Sequence, residues 1–185
     1  GSEMCIRDSS VAVCENGNYY NRFYFVHPDG AVQHYDKKHL FTFGGEHKRF
    51  TAGTERVVVN FRGVRILLEV CYDLRFPVWS RNLGDYDMIL YVASWPTPRV
   101  DAWSALLRAR AIENQCYVAG VNRMGTDPTC EYSGGSAIID PYGKTIAECP
   151  WSRESAVSAD IDMEALQAFR KKFPVLDDAD PFTLI

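Results

Sequence analysis

The sequence has no apolar stretch long enough to span a bilayer, and its first ten residues, GSEMCIRDSS, lack the apolar core of a secretory signal. A membrane-bound or secreted protein is therefore not expected. There is also no block of basic residues, and the net charge is −4, so nucleic acid is not an expected partner. No internal repeat or low-complexity segment stands out.

The cysteines form no CxxC pair, which argues against a zinc knuckle or a thioredoxin motif. A chain of 185 residues can bury a real core and does not need disulfides. With no secretory signal, we expect reduced thiols and a cytoplasmic location. The six cysteines are residues 5, 14, 71, 116, 130 and 149.

The composition, with 46% apolar and 24% charged residues, is that of a soluble globular protein with one domain. The segment MCIRDS has neither a helix nor a strand pattern and does not lead into the strand that follows it. We therefore interpret residues 1–9 as a tag or assembly scar. Residues 10–185 are expected to be the functional domain, lacking its N-terminal part.

Hydrophobic patterning predicts strands that alternate with helices in the middle of the chain, with hairpins on each side. Such an order favours an α/β sandwich with a mixed sheet, and the apolar strands 66–70 and 88–93 require cover on both faces. Asp101 is expected to cap the longest helix. Strands are predicted at 10–14, 19–26, 31–35, 57–59, 64–70, 87–93, 117–121, 136–139, 145–148 and 156–161, and helices at 77–83, 101–115 and 163–172.

Four predicted strands end in residues with unusual chemistry. Because ligands of open α/β sheets bind at the carboxyl ends of strands, these ends are expected to form one site. The residues that follow the four strands are Asp36 to His39, Cys71, Ser94 to Pro96, and Asn122 with Arg123.

Cys71 follows a buried strand directly and precedes the helix start at Pro77, a position that resembles the serine elbow of hydrolases. A neighbouring lysine would lower the pKa of a nucleophilic thiol, and its ammonium would help to hold an oxyanion. A carboxylate is needed to move protons, and Glu46 and Glu69 are the local candidates. The alternative is a packed core cysteine, since free cysteine is often buried.

Three blocks of the sequence resemble the nitrilase, or carbon–nitrogen hydrolase, superfamily. They are YDKKHLF at 35–41, Glu46 ahead of Gly53, and VCYDLRFP at 70–77; the helix segment RARAIENQ at 108–115 and the hairpin at 133–143 are similar as well. Within the superfamily, CYDLRFP and Ser94-Trp95-Pro96 resemble the omega-amidase branch, as does Phe173-Pro174 with its acidic tail. The tryptophan and glutamate that follow the cysteine of true nitrilases are absent.

The resemblance implies an α-β-β-α sandwich, with the first strand and helix segment missing here, and hydrolysis of the terminal amide of 2-oxoglutaramate or 2-oxosuccinamate. Cys71 resembles the nucleophile, Lys37 rather than Lys38 the catalytic lysine, and Glu46 the supporting glutamate. For substrate binding the candidates are Tyr72, Arg75 and Trp95. No metal or organic cofactor is implied, and a homodimer is expected of the full-length protein.

The family's general-base glutamate has no counterpart in this chain. An inactive fragment is therefore one alternative, and an amidase or carbamoylase for another small substrate is a second.

Individual residues also have plainer interpretations. Lys37 and Lys38 could be a solvated pair and Glu46 a surface residue, while Trp95 could belong to the core and Arg75 to a structural ion pair. His39 and His47 invite comparison with Cys-His proteases, although no orienting Asp or Asn is evident.

Overall fold

A computed structural model describes residues 10–183 of the chain. The interpretation of residues 1–9 as a tag concerns residues outside this range and stays a prediction. The strands and α-helices are β1 (Ser10–Glu15), β2 (Asn18–Val26), β3 (Val32–Asp36), β4 (Val58–Phe61), β5 (Val64–Val70), α1 (Pro77–Ser80), β6 (Met88–Ala93), α2 (Val100–Glu113), β7 (Tyr117–Asn122), β8 (Met124–Thr126), β9 (Glu131–Ser133), β10 (Ala137–Ile139), β11 (Thr145–Glu148) and α3 (Met163–Lys172).

The larger sheet has six strands in the order β11-β10-β7-β6-β5-β4. Its centre is parallel, with β6 between β5 and β7, and its outer strands pair antiparallel. The parallel pairing brings the carboxyl ends of β5, β6 and β7 to one edge of the sheet, where Cys71, Ser94 and Asn122 lie. This is the edge at which the sequence predicts a site.

Each face of the six-stranded sheet is covered, as its apolar central strands require. The three-stranded sheet β1-β2-β3 covers one face, where Phe23, Phe25 and Tyr35 pack in a cluster with Ile66, Leu68 and Val70. Helix α2 covers the other face with Trp103, Leu107 and Ala111, which pack with Leu67 and Tyr91.

Gly120 allows α2 to lie directly on β7. A Cβ at this position would come within 2.6 Å of the Leu107 side chain and 2.8 Å of Trp103. The close approach buries both helix side chains completely or nearly so, and each such burial stabilises the fold by about 1.5–3 kcal/mol. The two sheets and the helical layer confirm the predicted α/β class with a mixed sheet.

Several local predictions are wrong. Residues 156–161 are mostly exposed and pair with no strand among the described residues, so the apolar pattern of this segment is not matched by burial. The helix at 77–83 ends at Ser80, since Arg81 turns to an extended conformation and the backbone N–H of Asn82 donates to Asn114 instead. The short pair β8 and β9 was not predicted from the sequence pattern.

Asp101 does not cap α2. The helix is preceded by a 3-10 turn at Thr97–Arg99, so its N-cap position falls at Arg99, with no side-chain capping bond. Asp101 lies in the first turn, where its negative charge still favours the helix dipole. Within residues 10–183, no helix combines the length and apolar character needed to cross a membrane.

Candidate active site

A cavity of about 550 Å³ opens at the carboxyl ends of β5 and β6. All six residues that the sequence predicted for catalysis and substrate binding line it, although they come from three separate parts of the chain. The lining comprises Ser10, Asn21, Lys37, Phe41, Phe43, Gly44, Glu46, Val70, Cys71, Tyr72, Arg75, Ser94, Trp95, Pro96, Arg99, Thr129, Cys130 and Tyr132.

Cys71 lies in the sharp turn that follows β5. Its φ is +48°, in the left-handed region that a side chain other than glycine seldom adopts. Such a conformation costs on the order of 1–3 kcal/mol and persists only where surrounding contacts impose it. The 3-10 helix Cys71–Arg75 begins at this residue. A helical turn thus starts at Cys71 itself, six residues before the predicted start at Pro77.

The environment of the Cys71 thiol opposes its ionisation. Burial raises the pKa of this thiol and is the largest influence. The Lys37 ammonium and the hydrogen bond to the Ser94 backbone both lower the pKa, but by less. The Sγ atom lies 3.9 Å from the Ser94 carbonyl oxygen. The predicted effect of a neighbouring ammonium is therefore present, but it does not outweigh burial. The thiol form prevails at neutral pH.

Lys37 and Glu46 form an ion pair in the wall of the cavity. Lys37 Nζ donates to Glu46 Oε2 at 2.6 Å, and Lys37 is only 3% exposed. The same oxygen accepts the backbone N–H of Phe41 at 2.6 Å, and Oε1 accepts Asn21 Nδ2 at 2.9 Å. A buried charge pair is tolerated where further hydrogen bonds satisfy it, as here.

Burial alone would raise the pKa of Glu46, but the charge and hydrogen bond of Lys37 outweigh it. With the added bonds from Phe41 and Asn21, they hold the pKa of Glu46 below its usual value. Glu46 therefore stays ionised beside an ammonium and is a weak base.

The segment that carries Lys37 is fixed by its own backbone. The Lys37 N–H donates to Asn21 O and its carbonyl accepts the Gly53 N–H, each at 2.9 Å. A Cβ at Gly53 would collide with the Asp36 carbonyl, so only glycine permits this closure. Lys38 lies elsewhere, with its Nζ 5.1 Å from the centre of the Trp79 ring.

Two arginines, Arg75 and Arg99, also line the cavity, and both contact Trp95. The Arg75 guanidinium lies 4.9 Å from the centre of the Trp95 ring, and Trp95 Nε1 donates to the Arg99 carbonyl at 2.7 Å. Trp95 is 3% exposed and packs on Trp103, so it belongs to the core as well as to the cavity. Tyr72 packs edge-on against Phe41.

Neither arginine has a carboxylate partner among residues 10–183. No oxygen of Asp or Glu in that range lies within ion-pair distance of Arg75 or Arg99. The lining therefore has three cationic side chains and one carboxylate, Glu46, which Lys37 already neutralises. A cavity with this excess of positive charge favours an anionic ligand.

The sequence profile of the carbon–nitrogen hydrolase family matches residues 4–171 of the chain. The chain belongs to the carbon–nitrogen hydrolase family. It is 53% identical over 176 residues to omega-amidase YafV of Escherichia coli K12, an alignment that covers 95% of this chain and 69% of the relative.

A second relative of this hydrolase, the 2-oxoglutaramate amidase of Bacillus subtilis 168, is 41% identical over 172 residues, with 91% of this chain and 66% of the relative covered. Among solved structures, XC1258 of Xanthomonas campestris superimposes with a TM-score of 0.92 at 46% identity, covering 96% of this chain and 70% of that one. That protein is described as a CN-hydrolase superfamily member with an arsenic adduct in its active site. The nitrilase-type fold and the enzyme class are thereby shown.

Glu69 does not belong to the hydrolase's cavity. It is fully buried among other residues, where its Oε2 accepts Ser80 Oγ at 3.0 Å. Burial raises the pKa of Glu69 to about 8. Of the two carboxylates considered from sequence, only Glu46 lines the cavity.

An acidic residue does lie beside His39, although the sequence pattern makes none evident. His39 Nδ1 lies 2.8 Å from Asp73 Oδ1, and the His39 ring stacks on Phe76 at 3.8 Å. Neither His39 nor Asp73 lines the cavity, and His47 does not either, so a Cys-His protease arrangement is not formed. Among the described residues, no group of three or more His, Cys, Asp or Glu could hold a metal ion.

The sequence pattern missed Asn21, Phe41 and Arg99. Asn21 and Phe41 both donate hydrogen bonds to Glu46, and Glu46 is distant from Asn21 along the chain, so no local motif signals that contact. Arg99 had a signal, since it ends the irregular segment after β6. Asn122, at a predicted strand end, holds Trp95 by bonds to its backbone N–H and carbonyl.

Proposed function

We propose that the chain is an amidase that hydrolyses the terminal amide of a small 2-oxo acid, such as 2-oxoglutaramate or 2-oxosuccinamate, and releases ammonia. The observation that carries the proposal is the shared cavity, whose lining brings together Cys71, the Lys37–Glu46 pair and two arginines without acidic partners among the described residues. The relatives at 53% and 41% identity, an omega-amidase and a 2-oxoglutaramate amidase, support the same substrate class.

In the proposed reaction, Cys71 Sγ attacks the amide carbon. The C–N bond breaks, the nitrogen leaves as ammonia with the thiol's proton, and a thioester remains on Cys71. Water then hydrolyses the thioester to the carboxylic acid and restores the thiol. The Lys37 ammonium and the backbone N–H of Tyr72 would hold the oxyanion in each step, while Glu46 orients Lys37.

For the other end of the substrate we propose Arg75, Tyr72 and Trp95. A guanidinium can hold a carboxylate with two parallel hydrogen bonds, and the Arg75 guanidinium lies against the Trp95 ring, 4.9 Å from its centre. Tyr72 packs against Phe41 and would close the side of the cavity. The neutral amide end would then be directed towards Cys71.

A second candidate function is binding without turnover. The observation that favours it is the absence of a free base among the described lining residues, where Glu46 is the only carboxylate and three donors hold it. Burial raises the pKa of the Cys71 thiol. Cys71 therefore needs a base to remove its proton more than an exposed thiol would. An amidase or carbamoylase for another small substrate is a third candidate.

Ammonia release from 2-oxoglutaramate tests these candidates, with Cys71→Ala as the variant and Cys149→Ala, outside the cavity, as the matched control. We expect release by the parent chain and the Cys149 variant, and none by the Cys71 variant. Binding without release, measured by calorimetry, would favour the second candidate. Release only from other amides or carbamoylated amines would favour the third.

We also propose that residues 10–185 act as one hydrolase domain in a reducing, cytoplasmic setting. Free cysteines fit such a setting, and the free cysteines among the described residues are 14, 71, 116, 130 and 149. A homodimer, and the lack of a nucleic-acid partner, stay predictions that sedimentation and binding assays can check.

A further inference from the structure

Asp73 lies outside the cavity lining, two residues after Cys71, and is completely buried. Its carboxylate is surrounded by four donor groups. Oδ1 accepts the backbone N–H of His39 and lies 2.8 Å from His39 Nδ1, while Oδ2 accepts Tyr35 Oη at 2.8 Å and the backbone N–H of Val70 at 3.0 Å. Polar groups therefore contact both oxygens of the Asp73 side chain.

The donors lie close in sequence to Lys37 and Cys71, the two residues proposed to act in the reaction. Tyr35 lies two residues before Lys37 and His39 lies two residues after it, while Val70 directly precedes Cys71. One side chain therefore ties the segment that carries Lys37 to the turn that carries Cys71. The two segments belong to different sheets, since β3 is in the three-stranded sheet and β5 is in the six-stranded sheet.

We propose that Asp73 is a positioning residue, which sets the Lys37 ammonium against the Cys71 sulfur by tying together the two backbone segments that carry them. This inference rests on the proposed roles of Cys71 and Lys37. Asp73 touches neither the cavity nor a substrate placed in it.

Further contacts extend the same tie. The Tyr35 hydroxyl accepts the backbone N–H of Lys38 and the indole N–H of Trp79, each at 3.1 Å. The bond from Val70 to Asp73 spans the strained residue Cys71 and holds the turn at its positive φ. Removal of the carboxylate would release both the turn and the lysine segment, because unpaired buried donors are costly.

The test is the pH dependence of Cys71 alkylation by iodoacetamide, followed by mass spectrometry of the tryptic peptide 66–75, which contains no other cysteine. Among the main influences on this thiol are three charged groups: Lys37 lowers its pKa, and Glu46 and Asp73 raise it, with Lys37 the strongest of the three. No substrate is needed. The outcome is therefore independent of whether the chain turns over an amide.

Asp73→Asn separates positioning from a simple charge effect, because the two predict shifts in opposite directions. Loss of the carboxylate charge alone would lower the pH midpoint of alkylation. Displacement of Lys37 would raise the midpoint, and we expect this result, with alkylation at pH 7.5 slowed about threefold to tenfold, where tenfold corresponds to one pKa unit. An unchanged or lower midpoint would overturn the proposal.

Asp87→Asn is the matched control. Asp87 is also a buried carboxylate, paired with Arg65 and Arg170, but it lies at the start of β6, at the opposite edge of the sheet. Its removal should lower stability and leave the alkylation midpoint unchanged. An equal upward shift in this variant would show a general loosening of the fold and would also overturn the proposal.

Should Asp73→Asn fail to fold, Tyr35→Phe and His39→Ala each remove one side-chain donor and leave the carboxylate in place. Each is expected to raise the alkylation midpoint by less than Asp73→Asn would. Where the chain turns over 2-oxoglutaramate, the same variants should lower kcat and leave KM within about twofold, since they act on geometry at the sulfur and not on binding. Midpoints equal to that of the parent in both variants would refute the positioning role.

Discussion

Glu46→Gln should destabilise the protein strongly, because it leaves the Lys37 ammonium buried without a carboxylate. Lys37 and the Glu46 side chain are 3% and 13% exposed, and their charged atoms are 2.6 Å apart. Removal of one partner from a buried pair costs about 3–5 kcal/mol. For a chain of this size, each kcal/mol lowers Tm by roughly 2–4 °C, so the expected fall in Tm is about 6–20 °C.

The pH dependence of this effect has a definite sign. The pKa of Glu46 is lowered in the fold, so the pair stabilises the protein above the ordinary pKa of glutamate, near 4.5, and this stabilisation is lost as the pH falls through the folded value. The difference in Tm between the parent and Glu46→Gln should therefore be largest near pH 7 and shrink below pH 4.5.

Differential scanning calorimetry at several pH values is the assay, and Glu15→Gln is the control. Glu15 also pairs with a cation, Arg22, but its side chain is 52% exposed, so its loss should cost less than about 1 kcal/mol. The double variant Lys37→Met/Glu46→Gln should be more stable than Glu46→Gln alone, because no charge is left unpaired. A Tm for Glu46→Gln within 2 °C of the parent, or a double variant that is additive, would refute the reasoning.

Two further predictions concern other parts of the chain. Arg75→Met should lower kcat/KM for 2-oxoglutaramate about 10-fold to 150-fold, the equivalent of one or two charge-assisted hydrogen bonds. The same variant should leave the rate with an uncharged amide unchanged. Equal losses on both substrates would contradict the recognition of a carboxylate by Arg75. The Tm of Glu69→Gln relative to that of the parent should be higher at pH 8 than at pH 4.5. The unfolded chain releases the Glu69 proton near pH 4.5, whereas burial raises the pKa of Glu69 in the folded chain to about 8. The parent therefore loses stability between these two pH values, and the Gln variant does not lose this contribution. A stability difference that does not change with pH would count against burial of Glu69 as an acid.

The layered fold and the composition of the site could be predicted from the sequence because their signals are local. The apolar run of β5 identifies a strand covered on both faces, and Cys71 at its end identifies the sheet edge where ligands bind. Lys37, Glu46 and Cys71 came from short blocks similar to those of a known family. The structure brings all three to one cavity.

The parts that could not be predicted depend on contacts between distant segments. Nothing near Asp73 in the sequence indicates that Tyr35 and His39 surround it, and nothing near Asn21 indicates a bond to Glu46. The segment 156–161 has a plausible strand pattern but pairs with no strand among the described residues, and tertiary context decides strand formation more than propensity does. The pKa of Cys71 likewise depends on burial, which the sequence pattern does not quantify.

The central claim is that Cys71 is the nucleophile of an amidase. It is tested most directly by quenching the chain in acid during incubation with 2-oxoglutaramate and digesting it with pepsin at low pH. The mass of the peptide that contains Cys71 is then measured. The account predicts a fraction of this peptide enlarged by the acyl group of the substrate, and none in Cys71→Ala. An acyl group on any other residue, or its absence from Cys71 under these conditions, would contradict the account.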